Sequence, residues 1–253
     1  MNQTPSDVAV LNADDEIVSS WAKGLRAHVV EFSVKRELQE GLFLRGADLV
    51  SRTADGERVL LIRDEMKLRG LHNVENALAA LSAGLACGAG PESMRETIMR
   101  FAPVEHRLEF VREIGGIKFY NDSKATSVDA TVKALEAFQA EEGKVVLIIG
   151  GRGKKAPYAP LAGLVRGHVR ELILIGEDAE TISSELGEYA PTQKAVDMKD
   201  AVDRSFRAAQ SGDIVLLAPA CASFDMFESF EHRGKVFKEE VQSLMSKVQG
   251  LSR

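Results

Sequence analysis

The sequence predicts an α/β protein whose C-terminal part is a Rossmann-like domain with a mostly parallel sheet. Three observations carry that expectation. Residues 145–149, 172–175 and 214–218 are short, almost wholly apolar runs with β-branched content, the pattern of strands buried on both faces. Segments of helical period separate them, as in parallel sheets joined by helical crossovers. Each run is followed at once by a turn former, Gly150, Gly176 or Pro219, so ligands are expected in the loops at the carboxyl ends of these strands.

In chain order, Val8-Ala9-Val10-Leu11 and the turn-forming Asn12-Ala13-Asp14-Asp15 predict a first strand, with a helix near 17–24. A second strand is expected over 29–33. Residues 42–44, 49–50 and 58–62 alternate like short strands around the Asp55-Gly56 turn, which predicts a small, mostly antiparallel ribbon. After Gly70 the period changes: Leu71, Val74, Leu78, Leu81 and Leu85 mark one face of a helix that Gly88 and Gly90 end. Pro91 suits the first turn of the next helix, which carries Met94, Ile98 and Phe101 and stops near Pro103. A domain boundary is expected there, dividing the chain into 1–103 and 104–253. The second part opens with a hairpin, 108–114 and 117–120 about Gly115-Gly116, and a helix over 127–138.

With 253 residues, 45% hydrophobic and 28% charged, the chain has the length and composition of a globular protein with one or two cores. The formal net charge of -6 argues against nucleic acid as a partner, which would call for an excess of lysine and arginine. No apolar run reaches the roughly 18 residues that cross a bilayer, and the N-terminus lacks a basic segment followed by an apolar one. No membrane partner and a cytoplasmic location are therefore expected. Cys87 and Cys221 are too far apart in sequence for a metal knuckle and read as reduced, buried thiols.

Three loops concentrate polar chemistry. Gly150-Gly151-Arg152-Gly153-Lys154-Lys155-Ala156 could bring backbone N–H groups to an anion. It is not a Walker A loop, because Ile148 and Lys155 stand where glycine and a hydroxyl residue are required, and the other Gly-Lys pairs, at 143 and 234, are followed by valine. It formally matches a dinucleotide fingerprint at Gly151, Gly153 and Ala156 with Glu171 as a ribose-binding acid, although Pro157 and Pro160 interrupt the expected helix. Tyr120-Asn121-Asp122-Ser123-Lys124-Ala125-Thr126-Ser127 joins a strand to a helix and reads equally as a helix cap or a binding turn. Ala218-Pro219-Ala220-Cys221-Ala222-Ser223-Phe224-Asp225 follows another strand, and the alternatives are again a cap or an anion site. Neither Cys221 nor Ser223 has an evident base. Downstream, Phe227, Phe230 and Phe237 read as core, and Glu228, Glu231, His232 and Arg233 as a solvated face.

Taken together, His72-Asn73-x-x-Asn76-Ala77, His106-Arg107, Asn121-Asp122-Ser123-Lys124-Ala125-Thr126, Gly150-Gly151-x-Gly153-Lys154 and Pro219 to Asp225 with Phe230-Glu231-x-Arg233-Gly234 resemble the Mur ligases over nearly the whole chain. Asp-Ser-Lys-Ala-Thr points to the members that add D-glutamate, since ligases adding other amino acids, and folylpolyglutamate synthases, resemble one another in having Ala-His in this turn. Ser127, in place of a common asparagine, and Arg152, in place of a common acid, depart from the pattern.

The resemblance implies that 1–103 is the C-terminal part of a central ATP-binding domain and 104–253 the Rossmann-like amino-acid-binding domain. It implies an ATP- and Mg2+-dependent ligase joining D-glutamate to UDP-N-acetylmuramoyl-L-alanine through an acyl phosphate. Lys124, Thr126, Lys154, Ser223 and Phe230 would bind D-glutamate, and Asn73, Asn76, Arg107 and Asp122 would bind ATP; no catalytic residue and no metal ligand is assigned. Without a phosphate loop, weak or no ATP binding and no isolated activity are expected. The alternative is an inactive binding or complementing module derived from such a ligase, and a nicotinamide oxidoreductase is a further reading resting on the glycine loop alone.

Overall fold

The computed structural model describes residues 3–251 except 69, 103 and 140, with backbone alone at 250 and 251. The helix expected to stop near Pro103 ends at Arg100, and Pro103 itself lies outside the described residues. The chain divides into two compact units, Met1–Ala102 and Pro103–Arg253.

In the first unit β1 (Val8–Asn12), α1 (Glu16–Ser20), β2 (His28–Ser33), β3 (Gly41–Arg45), β4 (Asp48–Thr53), β5 (Gly56–Ile62), α2 (Leu71–Ala86) and α3 (Pro91–Arg100) follow in order. The strands form one sheet in chain order. The expected antiparallel ribbon is present as β3–β4–β5, but β1, β2 and β3 pair in parallel, so the sheet is mixed. Val74, Ala77, Leu78 and Leu81 of α2 pack on Phe32, Leu42, Leu49 and Leu61, as the three- and four-residue spacing requires. Cys87, expected to be buried, is exposed because it caps α2 at its C-terminus, beyond the packed stripe.

In the second unit β6 (Glu109–Ile114) and β7 (Ile117–Asn121) form the expected hairpin, with glycines of positive φ at 115 and 116. There follow α4 (Val128–Glu136), β8 (Val145–Gly150), α5 (Ala162–His168), β9 (Val169–Ile175), α6 (Ala179–Leu186), β10 (Thr192–Lys194), α7 (Met198–Ala208), β11 (Ile214–Leu217) and α8 (Phe230–Leu251). The sheet order is β10-β9-β8-β11-β7-β6, parallel except at the hairpin.

Strand β8 is buried along its whole length. Val145, Leu147 and Ile149 share a core with Leu135, Val165 and Ile182, while Val146 and Ile148 share another with Val202, Phe237 and Val241. A strand covered by helices on both faces must be apolar at consecutive positions, which is why it reads as an uninterrupted run. Because β11 lies between β7 and β8, the loops leaving these three strands emerge side by side at one end of the sheet. Among the described residues no helix is long and apolar enough to cross a membrane.

Candidate functional site

The loop after β7 is a tight turn. Ala125 N–H donates to the Asp122 carbonyl at 2.9 Å and Thr126 N–H to the Lys124 carbonyl at 2.8 Å. Ser127 then caps α4, its hydroxyl accepting from Ala130 N–H at 3.4 Å. The capping alternative thus holds for Ser127 and leaves the side chains of Lys124 and Thr126 free of that task. In the loop after β8, Lys154 donates to Thr126 Oγ1 at 3.3 Å, joining two of the residues singled out in the sequence. Lys124 holds its ammonium 3.8 Å from the centroid of the Phe230 ring, joining two more.

The loop after β11 is stitched to both neighbours by backbone. Ala220 N–H donates to the Ala125 carbonyl at 2.9 Å, and Arg152 and Ala222 exchange two bonds of 3.0 Å. Ala220 takes a φ of 57°, a left-handed conformation that costs an alanine about 1 kcal/mol. Ser223 is buried here. It does not cap a helix directly, since α8 begins only at Phe230; its carbonyl instead accepts from Met226 and Phe227 in a turn.

Beneath these loops sits Arg233, 1% exposed, which corrects its reading as part of a solvated face. Its Nη2 donates to the Ser123 carbonyl at 2.9 Å, Nη1 to the Cys221 carbonyl at 3.1 Å and Nε to Ser123 Oγ at 3.0 Å. Burial pulls its guanidinium down to about 10, still charged at neutral pH. Ser123 Oγ in turn donates to the Phe230 carbonyl at 2.7 Å. One arginine therefore ties the Ser123 turn, the Cys221 loop and the start of α8 into one piece.

His106, which precedes Arg107 in the His-Arg pair, lies at the start of the second unit. It is buried, with a φ of 65°. Asn121 accepts from Ser123 N–H through Oδ1 at 3.1 Å, which orients its amide so that Nδ2 donates to His106 Nδ1 at 2.9 Å. Nδ1 is then the acceptor of this bond. Arg107 is exposed. Asp122 is buried and accepts from Leu108 N–H at 3.2 Å; burial raises its carboxyl to about 6 against the opposing Leu108 bond and Arg107 charge. Asn73 and Asn76 stand together in the first unit, on the first turns of α2, with Asn76 Nδ2 3.4 Å from Asn73 Oδ1.

Among the described residues neither Lys124 nor Lys154 is ion-paired, whereas Arg152 beside them is, with two bonds of 2.9 Å to Glu177. Two ammonium groups, the Thr126 hydroxyl and backbone N–H groups can receive carboxylates through charge-assisted bonds. A cation has less to gain. Glu105, His106 and Glu109 could offer ligand atoms within 4.8 Å of one another, but the Lys238 ammonium already bonds both carboxylates at 2.5 and 3.0 Å.

The dinucleotide reading fails on geometry. Glu171 lies near the start of β9, opposite Val146, and binds Gln193, away from the glycine loop at the strand's other end. The loop also runs into a short 3-10 turn, Ala159–Leu161, rather than directly into a helix.

Residues 1–84 match the Mur ligase middle domain, and residues 106–221 match the glutamate ligase domain of Mur ligases. Over 243 residues the chain is 44% identical to the UDP-N-acetylmuramoylalanine--D-glutamate ligase of Geotalea daltonii and 43% identical to the ligase of the same name from Trichlorobacter lovleyi; each match covers 96% of this chain and 53% of the relative. The chain thus spans about half the length of the curated relatives it matches. Among solved structures, a pseudomurein peptide ligase type C from Methanothermus fervidus aligns with a TM-score of 0.68 at 14% identity, covering 93% of this chain and 56% of that one; at that identity the likeness is one of fold.

Proposed function

Because the chain belongs to the Mur ligase family, we propose that it is the amino-acid-receiving part of an ATP-dependent ligase that joins D-glutamate to UDP-N-acetylmuramoyl-L-alanine in peptidoglycan synthesis. In this reading 1–103 is the end of the central ATP-binding domain and 104–253 the D-glutamate-binding domain. The observation that carries it is the meeting of Lys154 with Thr126 beside Lys124, on loops that leave β8 and β7, the two strands flanking β11, with no carboxylate among the described residues claiming either ammonium. A dianionic amino acid supplies the missing charge.

The bond to be made is an amide. Transfer of a phosphoryl group from ATP to the precursor carboxylate creates an acyl phosphate; the D-glutamate amine attacks it, and phosphate leaves from the tetrahedral intermediate. Lys124, Thr126, Lys154 and Ser223, with backbone near Phe230, hold the two carboxylates so that the amine is free to attack. Asn73 and Asn76 serve the adenine side of ATP, and Arg107 and Asp122 its ribose and phosphates. Magnesium, when bound with ATP, supplies charge neutralisation. The 253 residues contain no Walker-type loop, so this chain alone is expected to hold ATP weakly and to turn over nothing without the rest of the ligase.

Calorimetric titration of the chain with D-glutamate and ATP-magnesium, singly and together, tests the reading against L-glutamate. Stereoselective uptake of D-glutamate is expected. Equal heats with both enantiomers, or saturation by neither, would sink it for this chain.

A further inference from the structure

We propose that the aromatic ring of Phe230 is a positioning residue, holding the Lys124 ammonium ready for a carboxylate of the amino-acid substrate; the substrate half of this statement rests on the proposed function. The ammonium lies 3.8 Å from the ring centroid, well within the range in which the negative face of a ring attracts a cation. An ammonium on a ring face keeps its charge and its outward N–H donors. It is therefore restrained without being neutralised, unlike Arg152, whose charge is paired with Glu177 through two bonds.

The ring has its own supports. His106 meets it edge-on, with centroids 6.1 Å apart at 88°, and the Asn121 amide fixes the orientation of that imidazole. The backbone of Phe230 is held through its carbonyl by Ser123 Oγ at 2.7 Å, and Ser123 is held by Arg233. Lys124 is the residue after Ser123, and its own N–H donates to the His106 carbonyl at 3.1 Å. The lysine backbone and the ring thus hang from the same two residues, Ser123 and His106, so the ring is held where the exposed four-carbon chain of Lys124 can lay its ammonium on it. Restraining that chain before binding lowers the entropy lost on binding.

The geometry predicts a spectroscopic signature that a purely structural Phe230 lacks. With lysines reductively dimethylated in 13C, which keeps their charge, the Lys124 methyl resonance, identified by its absence in Lys124→Met, is expected upfield of the others because of the ring current. Phe230→Leu should return it to the common position and weaken D-glutamate binding about two- to fivefold, the equivalent of an exposed cation–π contact; Phe230→Tyr should restore both. A Lys124 resonance that is unshifted in the wild type, or unchanged in Phe230→Leu, overturns the positioning role, and loss of the signal in Phe230→Tyr does so as well if Phe230→Leu does not fold. A shifted resonance with no response to either glutamate would instead remove the substrate reading and leave the lysine–ring restraint standing.

Discussion

Arg233 donates to Ser123 Oγ at 3.0 Å across 110 residues of sequence, and this contact fixes the turn that carries Lys124. Because a planar fork serves three acceptors here, lysine is not a conservative replacement. Arg233→Lys leaves at least one of the Ser123 and Cys221 carbonyls unpaired in the interior, at a cost of about 2 kcal/mol. Hydrogen exchange of the β8 and β11 amides should report that loss. Protection within about 0.5 kcal/mol of wild type would show that the network is dispensable.

Asp122 predicts a pH dependence with a definite sign. Burial raises its carboxyl from 3.8 to about 6 in the folded protein, so between these values the native state holds a proton that the unfolded chain has released. Stability from this group is present below pH 3.8 and lost as pH rises towards 6, a change of up to about 3 kcal/mol. Asp122→Asn keeps an acceptor for Leu108 N–H and has nothing to titrate. Its urea midpoint should lack that fall, and parallel profiles for the two proteins would rule the explanation out.

Lys154 and Arg152 give opposed expectations for the amino-acid site. Lys154 meets Thr126 and has no carboxylate partner among the described residues, so Lys154→Ala should weaken D-glutamate binding about tenfold or more, as for loss of one charge-assisted bond. Arg152 spends its donors on Glu177, and Arg152→Ala should change the affinity less than about threefold. Calorimetry on the two variants would decide the matter; a larger effect at Arg152 reverses the assignment.

The two cysteines should differ in reactivity. Cys221 is buried and Cys87 exposed. Tyr158 gives its single proton to Asp178 at 2.7 Å, which leaves the Cys221 thiol, 3.0 Å away, to donate to the phenol oxygen. Burial pushes that thiol up to about 11, so on the order of a thousandth is thiolate at pH 8. One equivalent of iodoacetamide should react with the native chain, at Cys87, and a second only after denaturation. Early modification of Cys221 would contradict this.

Much of the second unit was legible because a parallel sheet writes itself plainly: 145–150 is apolar at every step until the glycine. The parallel pairing of β2 with β3 was not, since short alternating strands look the same whether their neighbour runs with or against them. The clusters at 122–126, 150–154 and 218–225 were visible as dense polar loops; their union was not, because it depends on β11 lying between β7 and β8. Arg233 was misread among Glu228, Glu231 and His232. Its position four residues before the buried Phe237, itself four before the buried Val241, places it on the inward stripe of α8, a signal present in the sequence and outweighed by charge.

Gly151 tests how tightly the three loops are joined. Its φ of 130° is one that L side chains rarely adopt, and a Cβ there would press on the Ala222 carbonyl oxygen, on Cys221 Cβ at 3.1 Å and on Arg233 Nη1 at 3.3 Å. The first of these is backbone and belongs to the Arg152–Ala222 bridge, so it cannot swing aside without parting the β8 and β11 loops. Gly151→Ala should therefore cost about 3 kcal/mol in stability from strain and displacement and also weaken D-glutamate binding through Lys154. Gly167, in α5 with open space where a Cβ would sit, is the matched control, where alanine should be neutral or stabilising by about 0.5 kcal/mol. If urea unfolding finds the two variants alike, the bridge is not what holds the loops together; if Gly151→Ala unfolds earlier and binds less while Gly167→Ala does neither, the joining of the loops is what builds the site.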